Sequence, residues 1–349
     1  KVIESNINLD TKAVIINHIQ TLDTLSPNNS EYAKLKTWID AVVRIPFNIY
    51  KEEPINKTSE QKDIVNYLEE SHKKLTDAVY GHENAKQQIL QILAQRITNK
   101  DAIGNVLAIH GPMGNGKTTL IQLGLTSVMN RPFEFISLGG CTDSSYLEGH
   151  DYTYEGAKWG KIVDVLIKSQ CMNPIIYFDE LDKISKTEKG DEIINVLMHL
   201  IDTSQNHHFT DKYFSELSFD LSKAIFVFSY NNVEDINPIL LDRIVNIELK
   251  GFNTSDKIKI ANNYLIKKIE DDIGLDRGSI KISDKVLEFL IDNYTSEDGV
   301  RKLKERLYFI FREINLRRLR DVKSIKFPFN ITQRVLQNDI FKNISIITD

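Results

Sequence analysis

Gly111-Pro112-Met113-Gly114-Asn115-Gly116-Lys117-Thr118 follows the apolar run Val106-Leu107-Ala108-Ile109. The run reads as a buried strand, and the octapeptide has the G-x-x-x-x-G-K-T spacing of a phosphate-binding loop. Its glycines permit a tight turn in which backbone N–H groups close around an anion. The residues after Lys117 open a helix whose positive end faces the same anion. In such a loop the lysine reaches the β- and γ-phosphates of a nucleoside triphosphate, and the threonine hydroxyl holds Mg2+. An ordinary glycine-rich turn is the competing reading; fixed residues at matched spacing between a strand and a helix set it aside.

Downstream, Ile175-Ile176-Tyr177-Phe178 is a second short apolar run, and it ends in Asp179-Glu180. In isolation such a pair is two polar residues entering a loop. After a phosphate loop it reads as a Walker-B strand: Asp179 for the Mg2+ water shell, Glu180 to orient and deprotonate the attacking water. Working outward, Phe133–Leu138, Ile225–Ser229 and Val245–Leu249 are further strand candidates alternating with helical stretches. That alternation predicts an α/β fold, a parallel sheet flanked by helices.

Three parts are expected. Residues 1–78 form a helical segment: Tyr32, Leu35, Trp38, Ile39, Val42 and Val43 recur at helical spacing after the turn cluster Ser26-Pro27-Asn28-Asn29-Ser30, and the run stops at Pro46. Residues 79–252 form the α/β ATP-binding domain. Residues 253–349 are expected to form an all-α small domain, with Val300, Leu303, Leu307, Ile310 and Ile314 on one apolar face.

Composition bounds the function class. The 349 residues are 41% hydrophobic, enough for sizeable cores, and the net charge of −5 argues against a chain built to coat nucleic acid or an anionic membrane. No apolar stretch has the length of a membrane span, and no secretory signal opens the chain. The two cysteines, Cys141 and Cys171, fit free thiols in a reducing intracellular compartment. Neither they nor the eight histidines have a metal-ligand spacing, so no structural zinc is expected.

Beyond the phosphate loop and the Walker-B strand, the chain resembles the ATPase module of Lon-type ATP-dependent proteases, within the AAA+ class. The resemblance runs through nearly its whole length. It rests on Leu25-Ser26-Pro27-Asn28-Asn29-Ser30-Glu31-Tyr32, Ile45-Pro46-Phe47-Asn48, Tyr80-Gly81-His82-Glu83, Ser137-Leu138-Gly139-Gly140, Glu148-Gly149-His150, Asp220-Leu221-Ser222 and Leu241-Asp242-Arg243. Other AAA+ families share the phosphate loop but not the Gly-Gly and Gly-His segments or the helical preface. The resemblance implies ATP and Mg2+ as cofactors. It makes Tyr80 and the run Gly111, Pro112, Met113, Gly114, Asn115, Gly116, Lys117, Thr118 and Thr119 candidate nucleotide contacts, and Thr118 and Asp179 candidate Mg2+ ligands. Asn231 matches the first sensor, an amide facing the γ-phosphate or the water. Arg243 matches an arginine finger pointing at the ATP of a neighbouring subunit, and Arg301 a second sensor on the small domain. A finger supplied by a neighbour requires a closed ring, and the family implies a homo-hexamer.

The resemblance also implies a protein substrate threaded through a pore. Tyr154 matches an aromatic that wedges against the polypeptide, followed by Glu155 and Gly156. The chain departs from the pattern here. The family has an aliphatic residue where Glu155 stands and a Met-Pro pair where Lys158-Trp159 stand; a carboxylate beside the gripping ring disfavours acidic stretches of substrate. Lys183 to Asp191 matches a second pore loop. Between Arg301 and Lys326 lie ten Lys or Arg and three acidic residues, which raises nucleic acid as another partner; the alternation of basic and apolar positions is equally that of a solvated amphipathic helix. No Gly-Pro-Ser-Ala-Gly context for a Ser–Lys protease dyad occurs, so the chain is expected to hydrolyse ATP without cutting peptide bonds. It reads as a piece of a longer protease. The alternatives are a stand-alone remodeller of proteins or nucleic acid, and a module that uses nucleotide only to hold an assembly together.

Overall fold

In a computed structural model of the chain, which describes residues 7–99, 106–154, 156–320 and 325–342, the five apolar runs form one sheet. Its strands are β1 (Val106–His110), β2 (Phe133–Ser137), β3 (Ile175–Asp179), β4 (Ile225–Tyr230) and β5 (Val245–Glu248). All neighbours pair in parallel, in the order β2-β3-β4-β1-β5. Each expected strand is present to within a residue. The near-continuous apolar character of β1, β3 and β4 follows from burial on both faces, as a covered parallel sheet demands. Phe178 and Phe228 stack at 5.0 Å in adjacent strands, each fully buried and worth roughly 2–3 kcal/mol of hydrophobic stabilisation.

The register brings the carboxyl ends of the strands to one edge. His110 lies beside Tyr230, and Ser137 beside Asp179. In open parallel sheets this is the edge where ligands bind.

The chain divides into two compact units. The first comprises Lys1–Val79, Glu83–His110 and Thr118–Glu248, and so contains the sheet together with the helical preface. Helices Leu9–Thr24 and Ser30–Val42 start at Asn8 and Asn29, whose side chains accept from Thr11 and Glu31 N–H groups. Trp38, 3% exposed, packs between His18 and Phe214 at ring distances of 4.3 and 5.5 Å. Ile15, Trp38, Val42 and Ile45 thereby join the core that holds Ile176 and Phe228 of the sheet. Glu53 ties the segment down electrostatically, accepting from Arg96 at 2.7 Å and from Arg131 at 2.6 Å.

The second unit comprises Tyr80–His82, Gly111–Lys117 and Leu249–Asp349. Helices Thr254–Ile260, Ile266–Ile273, Asp284–Tyr294 and Arg301–Arg320 close around a core in which Leu303, Leu307, Ile310, Phe311 and Ile314 are buried. The expectation of an all-α small domain needs one correction. Two three-residue strands, β6 (Ile280–Ile282) and β7 (Phe329–Ile331), pair in parallel within the helical unit. Three residues are too few to carry a period-2 signal, and the pairing partners lie far apart in sequence. No described helix is long and apolar enough to cross a membrane.

Candidate active site

Within the second unit, the loop Gly111–Lys117 has the backbone its composition requires. Gly111 (φ 147°) and Gly114 (φ 76°) occupy conformations that side chains disfavour, and both are closely approached. A Cβ on Gly111 would lie 2.0 Å from the Leu249 carbonyl oxygen; one on Gly114 would lie 2.9 Å from the backbone nitrogen of Arg301. Asn115, 1% exposed, fastens the loop by donating from Nδ2 to Leu249 O at 2.7 Å. Lys117 Nζ donates to the carbonyls of Gly111 (2.7 Å) and Pro112 (2.9 Å). The Val300 N–H donates to Gly114 O at 3.1 Å, which sets the start of the Arg301–Arg320 helix against the loop. Arg301 therefore stands beside Gly114, its exposed guanidinium near Glu305 at 3.6 Å. Met113 is exposed. The Tyr80 hydroxyl is elsewhere in this unit, donating to Asp256 at 3.1 Å. His82 is the residue of that motif that touches the loop, through Nε2 and the Asn115 carbonyl at 2.9 Å.

Within the first unit, Thr118 and Thr119 open the helix that follows the loop, and Asp179 and Glu180 end β3. Thr118 Oγ1 lies 3.2 Å from the hydroxyl of Tyr177, a wholly buried phenol that burial pushes up to about 12. On the neighbouring strand, the Ser229 hydroxyl donates to the Asp179 carboxylate. Each of the two candidate Mg2+ ligands thus has a hydroxyl partner on the sheet, Tyr177 for Thr118 and Ser229 for Asp179. Magnesium fits this donor set: a hard cation that takes one carboxylate and one hydroxyl from protein and fills its octahedron with water and phosphate oxygens. Among the described residues no group of three or more His, Cys, Asp or Glu could cage an ion unaided.

Glu180 has a left-handed backbone (φ 62°), uncommon for a side chain of this size and a mark of a constrained position. Its carboxylate receives the Ser137 hydroxyl at 3.3 Å from the end of β2. Gly139 leaves the space: a Cβ there would stand 2.3 Å from Glu180 Oε2. Gly139→Ala is expected to swing the carboxylate aside and lower ATP turnover by about tenfold to a hundredfold, with nucleotide affinity and melting temperature little changed. Turnover within twofold of the parent would show that the carboxylate's place is unimportant.

Asn231 follows β4, and its turn is fixed by Asp182. That buried carboxylate accepts the N–H groups of Asn231 and Asn232, each at 3.3 Å. Arg243 pairs with Asp202 at the end of the Glu188–Ile201 helix. The Ser204 hydroxyl and N–H, and then the Arg243 guanidinium, hold Asp202 down to about 2.

Tyr154 is 67% exposed at the tip of a turn. The turn is built by Asp151, whose carboxylate accepts the N–H (2.9 Å) and hydroxyl (2.7 Å) of Thr153. Its neck is closed by the bond from His150 N to Lys158 O at 3.1 Å and by Asp211, which accepts from Gly160 N at 2.7 Å. Asp211 is fully buried, and burial pushes its carboxyl up to about 7 despite the N–H groups it accepts. Lys34 of the helical preface donates to Thr153 O at 3.3 Å. Gly156 follows with φ 78°; Glu155 lies outside the described residues. In the Lys183–Asp191 stretch a short 3-10 turn (Leu181–Lys183) leads to the helix Glu188–Ile201.

Sequence reasoning missed Tyr177, Ser229, Asp182, Asp211 and His82. A polar group inside an apolar run was the available sign for Tyr177 and Ser229. The basic residues of the Arg301–Arg320 helix engage their own unit: Arg317 contacts Glu313 and the Asp339 carbonyl, and Arg306, Arg312 and Arg318 lie over the rings of Phe341, Tyr308 and Phe327.

A phosphate loop after β1, an Asp-Glu pair ending β3 and the strand order around them define a nucleotide-binding P-loop ATPase of the AAA+ class. Residues 107–251 match the ATPase family associated with various cellular activities (AAA), and residues 271–326 match the Lon protease AAA+ ATPase lid domain. The chain belongs to the Lon family of AAA+ ATPases. It is 41% identical over 254 residues to a Lon protease homolog of Acanthamoeba polyphaga mimivirus, covering 72% of this chain and 25% of that protein. It is 33% identical over 310 residues to the Lon protease of Malacoplasma penetrans (89% and 38%), and 32% identical over 336 residues to that of Clostridium beijerinckii (96% and 40%). The chain thus spans between a quarter and two fifths of the length of these relatives.

Proposed function

We propose that this ATPase drives the unfolding and threading of protein substrates, as the motor part of a Lon-type ATP-dependent protease working as a homo-hexameric ring. In this reading residues 79–252 bind ATP and residues 253–349 act as the lid. Lys117 contacts the β- and γ-phosphates, and Thr118 and Asp179 hold Mg2+. The ion, when bound, neutralises charge on the phosphate oxygens. Glu180 takes a proton from the attacking water, Asn231 orients that water or the γ-phosphate, and Arg301 reads the nucleotide from the lid. Arg243 leaves Asp202 to stabilise charge on the phosphoryl group of the neighbouring protomer's ATP. Exchange of ATP for ADP then alters the lid and moves the Tyr154 turn.

The observation that carries the polypeptide reading is Tyr154: a large aromatic left two-thirds exposed on a turn whose neck is hydrogen-bonded shut. A ring in that setting is available to grip a passing chain. The test is ATP turnover per protomer against protein concentration, with size measured on the same samples. The rate is expected to rise steeply as rings form. Absence of turnover in a demonstrated hexamer would instead favour a module that uses nucleotide only to hold an assembly together.

A further inference from the structure

Two consecutive carbonyls of the phosphate loop are met by donors of their own unit. Gly114 O accepts from the Val300 N–H at 3.1 Å, and Asn115 O accepts from the His82 ring at 2.9 Å. A carbonyl oxygen can only accept, so His82 Nε2 carries the proton and donates it. The peptide bonds after Gly114 and Asn115 are trans, and in a trans peptide the C=O and the following N–H point to opposite sides. Each bond therefore fixes the direction of the next N–H, that of Asn115 in the first case and that of Gly116 in the second.

We propose that His82 is a positioning residue for the phosphate loop: by holding the Asn115 carbonyl outward it keeps the Gly116 N–H turned in toward the phosphates of a bound nucleotide. The proposal rests on the reading of Gly111–Thr118 as the phosphate-binding loop. An anion cradle of successive N–H groups needs its carbonyls facing away. With Gly114 at φ 76° and Gly116 at φ 94°, this loop has little side-chain bulk to impose that arrangement by sterics. A peptide next to glycine flips readily, and a donor on its oxygen opposes the flip. His82 is itself firmly held. Its backbone is left-handed (φ 58°) directly after Gly81 at φ 68°, a conformation that a side chain of this size keeps only where its surroundings demand it. Its ring lies against that of Phe252, with centroids 4.9 Å apart, and Phe252 N donates to Asp298 O at 2.8 Å. The Asn115 side chain is anchored separately, from Nδ2 to Leu249 O at 2.7 Å, so His82 is left to set the peptide that follows it.

The experiment measures binding of a fluorescent ADP analogue to the whole chain, and its displacement by inorganic pyrophosphate, for the parent and for His82→Phe, His82→Asn and His82→Gln. Phenylalanine keeps a ring against Phe252 without a donor. Asparagine tolerates the left-handed backbone, but its amide falls short of Asn115 O; the amide nitrogen of glutamine reaches about as far as Nε2. The dissociation constant is expected to rise about fivefold to tenfold in His82→Phe and His82→Asn, the loss of one hydrogen bond, and to stay within about twofold of the parent in His82→Gln. Pyrophosphate, which has neither base nor sugar, should weaken by the same factor, because the effect belongs to the phosphate cradle. Melting temperatures of the nucleotide-free proteins show which variants are folded, and His82→Asn carries the test where the phenylalanine variant is not. Donor-free variants that bind as the parent does overturn the proposal. Equal weakening in all three, His82→Gln included, makes the ring a packing element and also overturns it. Weaker binding of the ADP analogue with pyrophosphate unchanged places His82 at the nucleoside, which overturns it as well. A folded parent that binds neither ligand overturns the phosphate-loop reading and the proposal with it.

Discussion

Glu180→Gln is expected to lower ATP turnover by about a hundredfold or more while ATP binding stays intact. Glutamine keeps the shape, so the contact with the Ser137 hydroxyl and the space left by Gly139 are preserved. What is lost is the capacity to take a proton. The binding residues of the loop are untouched, because Gly111–Lys117 is held by its own bonds to Leu249 and Val300. Equilibrium ATP binding and steady-state phosphate release, measured on the same preparation, separate the two properties. A variant that turns over within threefold of the parent would remove Glu180 from the chemistry and leave its unusual backbone a matter of turn geometry.

Arg243→Ala should be as severe, about a thousandfold in turnover, but for a reason that lies outside the protomer carrying it. Within one chain Arg243 is held by Asp202, at the far end of the helix that follows the Walker-B turn. If the finger serves the next protomer, two inactive proteins can make an active one. A protomer with Arg243→Ala still has its own Glu180, and a neighbour with Glu180→Gln still has its own Arg243. In a randomly mixed equimolar ring about a quarter of the sites pair the two intact halves. Mixing is therefore expected to restore turnover to about a quarter of the parent's, whereas each protein alone stays inactive. No recovery in mixed rings of demonstrated composition would mean that Arg243 acts within its own chain.

The sheet was legible because its strands are buried on both faces. Val106–Ile109, Ile175–Phe178 and Ile225–Ser229 must be continuously apolar, and each ends where polar residues begin. The phosphate loop was legible for a related reason: its backbone admits glycine at Gly111 and Gly114 and little else, so conformation is written directly as residue type. The supports of the site were not. Asp182 gains its meaning from two N–H groups nearly fifty residues away, and Gly139 from a carboxylate forty-one residues on. Tyr177 was read as one more apolar strand residue, because only the fold shows that its hydroxyl meets Thr118. The short pair β6 and β7 escaped for want of length. The N-terminal helices were recognised as helices, but that Trp38 would complete the core under the sheet is a fact of packing, invisible to periodicity.

The turn that carries Tyr154 can be considered as a lever under load. A pull on the ring is not borne by the loop backbone alone. It passes through the neck, where the His150–Lys158 bond and the Asp211–Gly160 bond are strained together instead of one after the other. Asp211 is itself seated by the Tyr213 N–H at 2.9 Å, and Tyr213 packs edge-on against Tyr152 and Trp159 at the two sides of the turn. Bonds loaded side by side must break simultaneously, so the mounting of Tyr154 stays stiff. Lys34 adds a stay from the helical preface to the Thr153 carbonyl. Under the proposed function, slack in such a mounting would convert each stroke into bending of the loop, and the stiffness of its anchorage would limit how much of a stroke reaches a gripped chain.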